Sequence, residues 1–267
     1  MDIFILMALL ATLFTWFLTA LGAATVIFFK VPNPKILNLM LGFASGVMIA
    51  ASFWSLLEPA IEKAALVTAT PPYLVATSGF LMGAIFMWFS DKAVTFARNK
   101  ANISCKNQSN CINRVIMLIL SITLHNIPEG LAVGVAFGAL QNSTSLHEGI
   151  MGAIIIAVGI GLQNFPEGAA VSLPLRREGY SRRKSFLLGQ ASGMVEPISG
   201  VLGAMLVVYI EKLLPYALSF AAGAMILVAV HELIPECQMC RAKHPYFSTM
   251  GIISGFAVMM FLDVMLG

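Results

Sequence analysis

Two six-residue segments of the chain carry the same polar pattern inside apolar surroundings: His125-Asn126-Ile127-Pro128-Glu129-Gly130 and Gln163-Asn164-Phe165-Pro166-Glu167-Gly168. At about 100° per residue on a helix, His125 and Asn126 lie roughly 40° and 60° to either side of Glu129. Gln163 and Asn164 flank Glu167 in the same way. Each carboxylate thus sits between two further potential ligands. Two facing glutamates could bridge two metal ions, one held by His125 and Gln163, the other by Asn126 and Asn164. Imidazole with carboxylate suits zinc and its first-row neighbours, whereas magnesium and calcium favour sites built of oxygen alone. Amides are weak ligands, which suits a site that releases its metal. Glu196-Pro197 adds a third carboxylate deep in another apolar run. An acidic or basic residue at a membrane helix centre costs about 2.5–3.5 kcal/mol on insertion scales. With no basic residue at that depth to pair with, the three glutamates serve a cation that comes and goes, or they stay protonated.

The elements that must hold these residues are apolar helices. The chain is 58% hydrophobic and 11% charged, with a mean hydropathy of +0.86; soluble domains carry about 25% charged residues. A spanning helix needs about 20 apolar residues, and eight runs qualify: 3–29, 36–57, 73–94, 115–140, 149–175, 186–210, 216–234 and 247–266. The fold expected is an all-α, eight-transmembrane-helix bundle forming one transporter domain over 1–267, with lipid around it. The first run lacks the basic start of a signal peptide and is too long for one. Lys and Arg number 16, of which 14 fall in the odd-numbered loops. That asymmetry makes those loops cytosolic and both termini extracytoplasmic. The net charge of +3 gives no case for a nucleic-acid partner. A short loop joins runs four and five as antiparallel neighbours. The motif copies then face each other at one depth, as in an inverted repeat with pseudo-two-fold symmetry. Pro128 and Pro166 should kink their helices. Glycines four apart, such as Gly130/Gly134/Gly138 and Gly251/Gly255, signal close helix packing.

Further polar groups flank this centre. Met48 lies at mid-depth in run two, as core filler or as a soft ligand. Glu58 sits at the outer mouth of the same run, able to attract cations or simply solvated. His231, Glu232 and Glu236 end run seven at its cytosolic side; the stretch starts like a zinc-protease helix but has Pro235 where the second histidine belongs. They form an exit-side metal or proton relay, or a solvated helix end. Cys237 and Cys240 form a C-x-x-C with His244 nearby.

The two P-E-G motifs, the Val195-Glu196-Pro197 run, the helix count and the extracytoplasmic termini resemble the Zrt/Irt-like (ZIP) metal transporters, the GufA-like branch in particular. The likeness extends over the chain, including Gly46-Val47-Met48 and the run ending in Glu58-Pro59. It implies entry of Zn²⁺ into the cytosol through a binuclear centre at His125, Asn126, Glu129, Gln163, Asn164, Glu167 and Glu196, with Met48 at its edge. Other divalent metals, such as Cd²⁺, Fe²⁺ and Mn²⁺, are candidate cargo. Many members of the family have a histidine at position 163 and an aspartate at 164; the amides here lower the charge of the site. The membrane would be the plasma membrane or that of an organelle, and a second copy, as a homodimer, is the candidate protein partner. Two rivals stand beside this reading. One is a cation/proton exchanger of another fold. The other is an intramembrane metalloenzyme, disfavoured because no H-E-x-x-H, no nucleophile beside a base and no open three-ligand set is present.

Overall fold

The computed structural model describes residues 2–28, 34–100, 108–142, 145–177, 179–238 and 245–266. Among them the regular structure is helical throughout, without a strand. The helices are α1 (Ile3–Ala24), α2 (Pro34–Ala51), α3 (Glu58–Val67), α4 (Pro72–Lys100), α5 (Gln108–Gly138) and α6 (Leu146–Arg177). They continue as α7 (Arg182–Ala191), α8 (Val195–Tyr209), α9 (Leu214–Val228), α10 (Ile234–Gln238) and α11 (Pro245–Leu266). Among the described residues, 7 helical stretches are long and apolar enough to cross a membrane: Ile3–Ile27, Lys35–Val67, Pro72–Phe96, Leu146–Leu173, Arg182–Tyr209, Leu214–Gln238 and Tyr246–Met265. The first motif copy lies on α5, a further 31-residue helix.

The helices differ from the apolar runs in instructive ways. Hydropathy marks only the stretch in hydrocarbon, so α4 and α6 continue past their apolar runs into polar residues at one or both ends. The first run ends earlier than its composition suggests, because α1 tightens into a 3₁₀ turn at Thr25–Ile27. Run six is two helices, α7 and α8, joined by a 3₁₀ turn at Ser192–Met194. Pro197, which has no N–H for the carbonyl four residues back, accounts for the break.

Runs two and seven instead contain π turns, at Ser52–Leu57 and Ala229–Leu233. Both end two residues before a proline, Pro59 and Pro235. A proline in an α-helix clashes with the carbonyl of residue i−4, here Ser55 and His231. Widening the preceding turn relieves the clash: Glu58 N–H reaches Phe53 O, and Ile234 N–H reaches Ala229 O, each five residues back. The helix therefore continues through Glu58 into α3.

Packing sorts the helices into two groups. α1, α5, α6, α7 and α8 pack on one another, and α2, α3, α4, α9, α10 and α11 form the second group. The groups meet chiefly where α2 crosses α6 and α5 crosses α9. Within the groups the glycine stripes set the distance. A Cβ added to Gly134 would overlap the backbone of Gly200, and one on Gly255 the backbone of Phe43. These helices touch backbone to backbone, so even alanine is excluded at such positions. The outward faces stay apolar: Leu81, Met82, Ile85, Phe86, Trp88 and Phe89 on α4 are all exposed.

Candidate metal centre

The close approach of α5 to α8, and of α6 to α1, draws the polar residues of four helices into one buried cluster. Glu129, Gln163 and Glu196 have no exposed surface, and Asn126 and Asn164 have almost none. His125 and Glu167 are also buried. The two motif copies meet directly: Gln163 Nε2 donates to Glu129 Oε1 at 2.6 Å. Asn164 Nδ2 donates to Glu196 Oε2 at 2.8 Å and to Thr15 O at 3.3 Å. Asn126 Nδ2 donates at 3.0 Å to Ser192 O, in the 3₁₀ turn at the helix break before Pro197.

The backbone carbonyls of Ser192 and Thr15 can only accept, which fixes the amide orientations of Asn126 and Asn164; an ionised Glu129 fixes that of Gln163 in the same way. The amide oxygens must then point the other way. Asn126 Oδ1, Gln163 Oε1 and Asn164 Oδ1 are buried with no donor, as are Glu129 Oε2 and Glu167 Oε1. All five are lone-pair oxygens drawn from both motif copies. A buried acceptor without a partner costs about 1–3 kcal/mol. A hydrogen-bond donor or a cation would relieve that, and no donor among the described residues reaches them.

Charge points the same way. Glu129 feels the charges of Glu167 and Glu196, and Glu167 those of Glu196 and Glu232. Among the described residues no Lys or Arg pairs with any of them. Nor do three His, Cys, Asp or Glu side chains converge at one metal-sized position among the described residues. A cation held here therefore depends on the amide oxygens, which are hard, neutral and weakly binding.

Matches to known proteins agree with this chemistry. The family described as ZIP Zinc transporter matches residues 104–263. The chain belongs to the ZIP zinc transporter family. It is similar to the zinc transporter ZIP11 of Xenopus tropicalis, 40% identical over 98% of each chain. It is 38% identical to the ZIP11 of Homo sapiens over 97% of each. The zinc transporter ZIPB of Bordetella bronchiseptica is 35% identical, covering 93% of this chain and 78% of its own. As a ZIP family member with seven membrane-capable stretches, the chain is an integral multi-pass membrane protein of a transporter family, not an enzyme family.

In this ZIP protein the flanking residues divide. His125 Nε2 lies 2.8 Å from Glu232 Oε1, so the π turn of run seven brings its glutamate onto the first motif. His231, the neighbouring residue, is about 100° around the helix and faces outward, with Nε2 3.5 Å from Asp91 Oδ2 on α4. Glu236 is exposed. Met48 is fully buried in the largest apolar cluster. Glu58 lines a cavity of about 600 Å³ at the other end of α9, with Glu62, Glu148, Ser55 and Asp263 also on its wall. Ser55 Oγ donates to Asp263 Oδ1 there at 2.6 Å. Cys237 is buried, while Cys240 and His244 lie outside the described residues.

Sequence reasoning passed over Thr15, Thr19, Asp91 and Asp263. A signal existed for the threonines: Thr12, Thr15 and Thr19 recur at helical spacing on α1 and all three are buried. Asp91 and Asp263 stand alone in their helices, and nothing local ties them to partners far along the chain.

Proposed function

We propose that this ZIP family member carries divalent metal, Zn²⁺ foremost, into the cytosol through the buried cluster on α5, α6 and α8. The observation that carries this reading is the set of five buried side-chain oxygens, three from amides and two from carboxylates, that no donor among the described residues reaches. Two zinc ions would share Glu129 and Glu167, drawing together carboxylates that do not converge on one metal position in this conformation among the described residues. His125 and Gln163 would complete one site; Asn126, Asn164 and Glu196 would complete the other, with Met48 at the edge. A dication among three carboxylates removes their mutual repulsion, and weak amide ligands let it leave. Cd²⁺, Fe²⁺ and Mn²⁺ are the alternative cargo.

The route proposed runs from the cavity beside Glu58 to the cluster, then past Glu232 toward His231 and Glu236. In the conformation at hand His125 is engaged by Glu232, so metal binding at His125 requires that pair to part. The helix arrangement proposed is one domain over 1–267 with eight spans, α5 included, an inverted repeat and both termini extracytoplasmic. The paired π turns of runs two and seven, each two residues ahead of a proline, support the repeat. Protease access to a terminal tag on sealed cells tests the orientation. The exposed apolar face of α4 would be covered by lipid or by a second copy in a homodimer; the mass of the purified protein in detergent separates the two.

Zinc uptake into proteoliposomes tests the site. Saturable flux should be lost in Glu167→Ala with the protein still folded and inserted. Undiminished flux in that variant would remove the cluster from the pathway.

A further inference from the structure

Glu196 differs from its two companions in how it is held. Its Oε2 receives two short hydrogen bonds, from Thr15 Oγ1 at 2.6 Å and from Asn164 Nδ2 at 2.8 Å. Its Oε1 receives one long bond, 3.4 Å, from Thr19 Oγ1. Glu129 has a single donor, and no side-chain donor reaches Glu167 Oε1. Thr15 has one proton and two acceptors in reach, Glu196 Oε2 at 2.6 Å and Thr12 O at 3.0 Å. The shorter of the two is the bond to Glu196. The space beside Oε1 is kept clear by a glycine: a Cβ on Gly193 would stand 3.1 Å from Oε1 and 3.0 Å from Thr19 Oγ1. One oxygen of this carboxylate is thus saturated and the other is left with room beside it.

We propose that Thr15 is a specificity-determining residue, which together with Asn164 occupies Glu196 Oε2 and so confines Glu196 to binding metal through Oε1 alone. This rests on the transport reading above. A carboxylate limited to one oxygen suits a small, four-coordinate ion such as Zn²⁺. Ions that prefer six or more ligands gain from a second carboxylate oxygen, and Thr15 denies it to them. The residue touches no metal; it acts through Glu196. Its helix, α1, carries neither motif, so the control comes from the start of the chain.

The experiment measures Zn²⁺ and Mn²⁺ uptake separately in proteoliposomes holding wild type, Thr15→Val, Thr15→Ala and Thr15→Ser. Val keeps the shape and removes the hydroxyl; Ser keeps the hydroxyl. In Thr15→Val the zinc KM should rise about tenfold, the size expected for losing one hydrogen bond to a charged group. The Zn²⁺-to-Mn²⁺ ratio of Vmax/KM should fall at least fivefold, and Thr15→Ser should keep the wild-type ratio. Because the ratio is taken within one protein, poor expression does not enter it; Thr15→Ala supplies the same test if Val inserts badly. An unchanged ratio in Val and Ala overturns the proposal, as does an equal change in Ser. Glu167→Ala, run alongside, separates the failures. If it transports normally the cluster itself is misassigned; if it is dead while the ratio holds, only the role of Thr15 falls.

Discussion

Replacing Asn164 by aspartate tests whether the cluster is balanced for release. Asn164 gives its amide hydrogens to Glu196 Oε2 and Thr15 O, and turns an unpartnered oxygen toward the cluster. Aspartate removes both donors and puts a fourth negative group within contact of Glu196. Losing one hydrogen bond to a charged group costs about 1.5–3 kcal/mol. Repulsion between unit charges about 4 Å apart adds up to about 4 kcal/mol at an effective dielectric of 20. The metal-free variant should therefore be destabilised by at least about 2 kcal/mol, and a bound dication should restore most of that. At roughly 2–4 °C per kcal/mol, the variant in chelator should melt about 5 °C or more below wild type. Saturating Zn²⁺ should close most of the gap. In transport, an extra charge on the metal should lower both KM and Vmax, because release slows as binding tightens. Thermal unfolding of purified protein in detergent, with chelator and with zinc, reads the first effect; proteoliposome uptake reads the second. If the metal-free Asn164→Asp variant is as stable as wild type and shows the same zinc-induced shift, the placement of Asn164 in a crowded anionic cluster is refuted.

Two further outcomes follow from single contacts. Glu232→Ala should reduce zinc uptake at least tenfold, because Glu232, once parted from His125, is the carboxylate that takes the metal onward along the proposed route. Glu236→Ala should stay within about twofold, because Glu236 is exposed, so equal losses in the two variants would contradict the division of roles made by the π turn. Gly134→Val should lose folded protein, since its Cβ would overlap the Gly200 backbone, and overpacking of this kind costs about 1–3 kcal/mol or more. Gly152→Ala meets nothing within 4 Å and should match or exceed wild type in thermal stability by up to about 1 kcal/mol; a stability loss in Gly152→Ala equal to that in Gly134→Val would refute the packing argument.

The chain's composition and its two repeated motifs sufficed for much of this protein. Long apolar runs are what a helix in a bilayer requires, so hydropathy marked the 7 membrane-capable stretches among the described residues, although it ended the second at residue 57 where the helix runs on to Val67. Gln163, Asn164, Glu167 and their counterparts are conspicuous because polar groups are rare at that depth, and their spacing follows from helix geometry without any tertiary knowledge. The glycines read as close-packing faces for the same reason. What sequence could not settle was pairing. The partners of α1 and α8 lie far along the chain, so the bond from Thr15 to Glu196, 181 positions apart, has no local trace. The π turns escaped notice because hydropathy is blind to a helix widening by one residue ahead of a proline. Yet that widening turns Glu232 onto His125 and His231 outward, toward Asp91. Local periodicity determined which residues could do the chemistry; only the packed bundle decided which of their oxygens receive a hydrogen bond and which, among the described residues, have no donor.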